Sequence, residues 1–343
     1  MKILLLANNY MDLAQPIFDE LERQGHLVLF VVDKTLSSDG FDKNGNRVVN
    51  LIKRLYSKLF RVYEKYWKKM IQQNPKIDDY FDLLFCIQGF SFHPYLLDRL
   101  RKRNPTIRTS LYIWDANIYY NFFRNLNYFD KCFTFDYKDA SLNEKINFLP
   151  FYWIDVKKTI TNNKYDVSII GSDHDGRCDF VEKIYTQIYG KVSFYFKIVI
   201  EKFPFVISDR IRLSLKFFLR YNYFTNKIEK WKHKLTLPFT TFEKIKTSDV
   251  IDIIRCSNCI LDTDRDAQTG TTPRIIWALA FGKKIISSNT YLTQLPFYNE
   301  KQIRIVNKEN PIIDINFIKK QERFDVNDYI LGLRIDKWVC KFL

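Results

Sequence analysis

The sequence predicts an α/β protein built as two doubly wound lobes, each around a parallel sheet, and three observations carry that prediction. Strand-length apolar runs alternate with segments of helical periodicity from Lys2 to Pro150, and the alternation starts afresh at Val167. A polar stretch, Ile154 to Lys164 with its Thr159-Ile160-Thr161-Asn162-Asn163 run, separates the two series as a linker. The chain has 343 residues, 46% hydrophobic and 27% charged, which suits a folded protein with two cores and excludes a disordered chain.

In chain order, Lys2 to Ala7 reads as a buried strand, Ala14 to Gln24 as a helix with Ile17 and Leu21 on one face, and Leu27 to Val32 as the next strand. This βαβ opening lacks the G-x-G-x-x-G pattern, so a dinucleotide cofactor is not expected. Asn8 to Asp12 instead forms a loop at a strand's carboxyl end, where open α/β sheets bind ligands. Asp39 to Arg47 is a further polar loop. Val48 to Gln73 is a long, strongly basic amphipathic segment, able either to lie on anionic lipid or to present a solvated face. Phe81 to Gln88 is a strand, Pro94 to Asn104 a helix, Ser110 to Trp114 and Cys132 to Phe135 strands, and Phe148 to Pro150 a last extended piece.

The second series begins with the strand Val167 to Ile170, the loop Gly171 to Gly176 and a helix opening at Arg177. Phe194 to Phe196 is a strand, and Ile198 to Leu219, rich in aromatic and basic residues, reads either as an interfacial helix or as packing within the lobe. Thr247 to Arg255 is a helix, Cys259 to Asp262 and Ile303 to Val306 are strands, and Val326 to Phe342 is a helical tail. Between the last two strands lies the stretch that matters most. A polar loop passes through Gly270, Thr271, Thr272 and Pro273 into an apolar helix from Arg274 to Phe281, then Gly282 turns the chain into the strand Lys284 to Ser287. A Gly/Thr/Pro opening leaves backbone N–H groups of the first helical turn free for an anion such as a diphosphate, with Arg274 beside it.

The stretch from Asp262 to Asn289 resembles the donor half of GT-B glycosyltransferases, in particular bacterial enzymes of capsule and lipopolysaccharide synthesis. Ser110 to Ala140 with Phe148 to Trp153, and Tyr165 to Arg177, agree with it, so the resemblance touches both halves of the chain. It implies a GT-B-like fold of two Rossmann-like lobes facing a cleft. Residues 1–155 would be the acceptor-side lobe and 165–322 the nucleotide-sugar donor lobe, with 323–343 crossing back to the first. It implies transfer of a sugar from a nucleotide-sugar to a lipid-linked or saccharide acceptor in surface polysaccharide synthesis. Donor contacts would come from Gly171, His174, Arg177, Asp264, Gln268, Gly270, Thr271, Thr272, Arg274 and Asn289. One departure stands out: Trp277 occupies the place where such enzymes usually carry a ribose-holding glutamate, which keeps a catalytically impaired nucleotide-sugar or glycan-binding relative as the alternative.

Transfer needs charge relief for the leaving diphosphate, which helix N-termini and cations supply, so neither metal nor cofactor is expected. Asp262-Thr263-Asp264 has the letters of a metal motif but stands in the donor lobe, and Cys256-Ser-Asn-Cys259 has neither a second pair nor a nearby histidine. An inverting enzyme also needs a base near the acceptor hydroxyl. Asp115, closing a strand, is the first candidate and His93 the second among only four histidines. The formal charge of +15 suits phosphorylated substrates or an anionic membrane, and nucleic acid is not expected because no recognition motif accompanies it. With no apolar run long enough for a signal or a span, the expected location is cytoplasmic, with peripheral contact at the inner face of the membrane.

Overall fold

The computed structural model describes residues 1–8, 12–34, 36, 55–155, 163–202 and 221–343, with the backbone alone for 221–224. The Asp39–Arg47 loop, most of the Ile154–Lys164 linker, residues 48–54 of the basic segment and the bulk of the Ile198–Leu219 run lie outside the described residues.

Two six-stranded sheets form the framework, and every strand pair in them is parallel. The first contains β1 (Lys2–Ala7), β2 (Leu27–Val32), β3 (Leu83–Ile87), β4 (Arg108–Ile113), β5 (Lys131–Thr134) and β6 (Ile146–Phe148), in the order β2-β1-β3-β4-β5-β6. The second contains β7 (Tyr165–Ser172), β8 (Phe194–Val199), β9 (Thr240–Thr241), β10 (Ser257–Asp262), β11 (Lys284–Ser287) and β12 (Ile303–Ile305), in the order β12-β11-β10-β7-β8-β9. Each order reverses direction once, between β1 and β3 in the first sheet and between β7 and β10 in the second. At such a reversal the connecting helices go to opposite faces, and the carboxyl ends of the two strands frame a crevice. β1, β3 and β10 are continuous apolar or small-residue runs because both faces of a parallel sheet are covered.

The helices that matter for the site are α1 (Gln15–Arg23), α2 (Val62–Gln73), α3 (Pro94–Arg103), α4 (Tyr137–Ser141), α5 (Arg177–Ile188), α6 (Tyr221–Thr236), α7 (Thr247–Arg255) and α8 (Pro273–Ala280). Of these, α6 is absent from the sequence reading, and its mixed polar and aromatic composition explains why. One hydrophobic cluster runs through both lobes, from Ile3, Leu5 and Phe85 to Ile275, Trp277 and Ile285. The lobes therefore share a packed junction.

The C-terminal tail is not the single helix Val326–Phe342. After α9 (Ile315–Lys319) come two short helices, α10 (Asp328–Leu331) and α11 (Ile335–Val339), broken at Gly332. The break lets Trp153 donate its N–H to the Leu333 carbonyl at 3.1 Å and accept from the Ile335 N–H at 2.9 Å, so the tail adds a bridge to the first lobe. Beyond it the Trp338 indole donates to the Pro150 carbonyl at 3.0 Å, Phe342 stacks on Phe85, and the Ser110 hydroxyl donates to the Phe342 carbonyl. The chain thus returns to the lobe where it started. Two Rossmann-like lobes with a returning C-terminal segment are the GT-B arrangement.

Candidate functional site

The carboxyl ends of β7 and β10 bring the charged side chains of Arg177, Asp262 and Arg274 together. β7 ends in Ser172, and the loop Asp173–Gly176 leads into α5, whose first residue is Arg177. Arg177 is buried. Its guanidinium donates to the Ser172 and Thr263 carbonyls, and Nη1 lies 3.2 Å from His174 Nε2. β10 ends in Asp262, also buried. One carboxylate oxygen of Asp262 accepts from Thr272 Oγ1 at 2.8 Å and from Arg274 Nε and Nη2 at 3.0 and 2.8 Å. Thr272 is at the same time the N-cap of α8, its hydroxyl accepting from the Ile275 N–H. A single strand-end carboxylate therefore fixes both the cap and the first-turn arginine.

Gly171 explains how the two arginines share the space. A Cβ there would lie 2.8 Å from Arg177 Nη1 and 3.5 Å from Arg274 Nη1, so both guanidiniums come against the bare backbone of β7. Side-by-side cations raise each other's cost. Burial first, and then the neighbouring Arg274, pull the Arg177 pKa down to about 10, which leaves it charged at neutral pH. Burial and the surrounding Arg177, Arg265, Arg274 and Lys308 bring His174 down to about 3, so its ring is neutral and accepts from Arg177.

Nine buried side-chain atoms among the described residues find no hydrogen-bond partner, and six belong here: His174 Nδ1, Asp175 Oδ2, Arg177 Nε, Asp262 Oδ2, Arg265 Nε and Thr271 Oγ1. Arg265 Nε and His174 Nδ1 do stand 3.2 and 3.4 Å from Asp175 Oδ2 without hydrogen-bond alignment, the first as a charge contact and the second from a neutral ring. Elsewhere among the described residues only Tyr63, Tyr66 and Arg255 contribute such an atom. The concentration of the six at a strand-switch crevice marks a site built for a polar ligand.

The first lobe meets this crevice through Asp115, just past β4. Gln88 Nε2 donates to one Asp115 oxygen at 3.0 Å, and Gln268 Nε2 approaches the other at 3.3 Å from the opposite lobe. Gln88, whose φ is +70°, also accepts from the Trp114 N–H, so the turn after β3 orients the end of β4. Arg265 Nη1 lies 3.6 Å from Asp115, and its guanidinium sits 4.0 Å over the Tyr119 ring. Burial pushes the Asp115 carboxyl above the usual carboxylate range, with Arg265 the largest opposing influence. A carboxylate with raised affinity for protons is what a general base requires.

The rest of the loop between β10 and α8 is clamped to the first lobe. Asp136, buried at the cap of α4, accepts from the Thr269 N–H and hydroxyl at 2.7 Å each and from the Gly270 N–H at 3.1 Å. Thr269 Oγ1 in turn accepts from the Lys138 N–H. A Cβ on Gly270 would run into the Phe135 ring, so any larger residue here requires that ring to move. Tyr119 donates its hydroxyl to the Asp266 carbonyl.

Of the residues picked out by sequence, the structure gathers Gly171, His174, Arg177, Thr272 and Arg274 around Asp262, and joins Asp115 to Gln268. Asp264 accepts from Ser288 Oγ, and its carbonyl accepts from Lys308. Gly270 faces Phe135, Thr271 is fully buried, and Asn289 Nδ2 supports the Thr269 and Gly270 carbonyls from beneath. His93 stands apart from these groups. It caps α3, with Nδ1 accepting from the Tyr95 N–H, and stacks on Tyr63; burial lowers its pKa. Trp277 is buried in the lobe junction, its indole donating to the Tyr152 carbonyl at 3.0 Å. Sequence reasoning missed Arg265, Asp136, Asp175, Gln88 and Lys308. Arg265 lies in the loop that follows β10, and that strand-end position is the signal for it in the sequence. Among the described residues, no group of three or more His, Cys, Asp or Glu side chains is placed to hold a metal.

No family model and no curated protein matches the chain. Solved structures that it is similar to include sucrose-phosphate synthase from Thermosynechococcus elongatus, with a TM-score of 0.48 at 10% identity over 99% of this chain and 98% of that one. HepE of Anabaena in complex with UDP gives 0.42 at 11% identity over 99% and 93%. The same protein with UDP and glucose gives 0.46 at 11% over 100% and 95%. The fold rests on the two sheets described above, and the site on its own geometry.

Proposed function

We propose that the protein is a glycosyltransferase that moves a sugar from a nucleotide-sugar donor to a lipid-linked or saccharide acceptor in bacterial surface polysaccharide synthesis, at the inner face of the membrane. The observation that carries this reading is the pair Arg177 and Arg274, set against the bare backbone of Gly171 where β7 and β10 diverge, with unpartnered polar atoms around them. Two fixed guanidiniums and a capped helix N-terminus suit a diphosphate better than any neutral ligand. They stabilise the charge that grows on the leaving nucleoside diphosphate, so the reading needs no metal.

On this reading residues 1–155 hold the acceptor, 165–322 the donor, and 323–343 tie the second lobe to the first. Asp115 takes the proton from the acceptor hydroxyl, and Gln268 and Arg265 set its carboxylate against the donor. His174, neutral, offers hydrogen bonds to the phosphates, and Asp264 and Gln268 reach the sugar. Thr271 and Thr272 line the phosphate side, while Gly270 and Asn289 shape the loop. His93 is the weaker candidate for the base because its Nδ1 is engaged in capping α3. Asp115→Asn tests the reading: nucleotide binding by calorimetry is retained and transfer of labelled sugar is lost. Undiminished transfer would remove Asp115 from the chemistry.

A further inference from the structure

Four of the sixteen exposed large apolar side chains among the described residues fall within six consecutive positions, while most of the others are scattered singly. Leu55 is 59% exposed, Tyr56 57%, Leu59 77% and Phe60 46%. Residues 55–59 are helical, so the 55/59 and 56/60 spacings put the four on one face, and the Tyr56 and Phe60 rings are 4.5 Å apart. Ser57, between them, is buried and turned the other way. A continuous exposed apolar face is not explained by folding.

The charge beside it is one-sided. Residues 55–73 carry Lys58, Arg61, Lys65, Lys68 and Lys69 against the single carboxylate Glu64. Glu64 is taken by Arg61 and Lys68, and Lys58, Lys65 and Lys69 pair with no carboxylate among the described residues. At Arg61 the backbone turns left-handed, with φ of +49°, and the chain bends from the apolar turn into α2. The inner face of α2 is anchored by Trp67 Nε1 donating to the Ser91 carbonyl and by Tyr63 stacked on His93. α2 is therefore seated on the loop that follows β3, and the apolar turn leads into it from its amino end.

We propose that this surface docks the first lobe on an anionic lipid bilayer, Leu55, Tyr56, Leu59 and Phe60 entering the headgroup layer and Lys58, Lys65 and Lys69 meeting lipid phosphates. Apolar side chains inserted beside unpaired lysines are the combination that holds a folded protein at such an interface. The proposal deepens the transferase reading by selecting a lipid-linked acceptor, and only that selection rests on the reading.

The test is flotation of the full chain with phosphatidylcholine vesicles with and without phosphatidylglycerol, in low and high salt, for the wild type, Leu59→Asp and Lys65→Glu/Lys69→Glu. These positions are exposed, so unchanged melting temperatures are expected. The wild type floats with anionic vesicles only, salt releases it, and each variant binds at least about tenfold more weakly, as the loss of an inserted side chain or the reversal of two charges implies. Wild-type protein that stays with the soluble fraction, or variants that bind as it does, would overturn the proposal. So would a wild-type dimer in solution that Leu59→Asp converts to monomer without vesicle binding, which would make this face an interface between copies. Nucleotide binding is measured on the same samples. Vesicle binding without nucleotide binding would leave the surface standing and remove the transferase reading.

Discussion

Asp136→Ala tests how the lobes are joined at the site. The Asp136 carboxylate accepts two backbone N–H groups and a hydroxyl from Thr269 and Gly270 of the other lobe, and its Oδ1 also caps α4 by accepting from the Asp139 N–H. Truncation leaves two buried N–H donors unpartnered, at roughly 1–3 kcal/mol each, and removes a cap worth about 1 kcal/mol. The expected loss is about 4 kcal/mol, or a melting temperature lower by about 5–6 °C in scanning calorimetry for a chain of this length. Thr269→Val keeps the N–H but loses both the hydroxyl's bond to Asp136 and its acceptance of the Lys138 N–H, and should cost about 1–3 kcal/mol. The double variant should fall short of additivity by about 1 kcal/mol, because the second change finds the contact already gone. Additivity within about 0.3 kcal/mol, or a melting temperature unchanged by Asp136→Ala, would refute a direct latch between the lobes.

Three further expectations follow from the same junction. Gly270→Ala pushes a methyl group into the Phe135 ring and should destabilise by about 1–3 kcal/mol, with partial rescue by Phe135→Leu; a neutral effect in urea unfolding would show the loop free to shift. Trp277→Glu buries a carboxylate where the indole donates to Tyr152, so it should lower the melting temperature and leave donor affinity no higher, and a gain in affinity would instead put this position at the ribose. Burial raises the Asp139 carboxyl to about 6, so the folded state holds its proton more tightly than the unfolded chain. The part of the stability that Asp139 contributes should therefore fall as pH rises from about 4 to 6, so Asp139→Asn should gain on the wild type between pH 4 and pH 7, as followed by thermal melts; a difference between the two that does not change with pH would remove the effect.

Most of the sheet framework was legible because parallel strands covered on both faces must be short apolar runs, and β1, β3, β10 and β11 have no other reading. Thr240–Thr241 was not, since a two-residue edge strand leaves no pattern. In the tail Ile330, Leu333, Trp338 and Val339 keep the spacing of one continuous helix. What breaks it is a tertiary demand, the bridge of Leu333 and Ile335 to Trp153. Within the site, Arg177 and Arg274 were legible from strand ends followed by helix starts. The partners of Asp136, Gln268 and Arg265 lie more than 130 residues away in sequence or on other loops, and local spacing carries no trace of them. Trp277 shows the converse limit: a position matched by resemblance turned out to face the lobe junction.

The most direct test of the central claim is isothermal titration of the wild type and Arg274→Ala with UDP, GDP, ADP, CMP and dTDP. One nucleotide should bind the wild type, and removing a charge-assisted contact to its phosphates should weaken it by about 10–100-fold, with the matching nucleoside unaffected by the substitution. No nucleotide bound by the wild type, or equal affinity for the variant, would contradict a diphosphate site at Arg177 and Arg274.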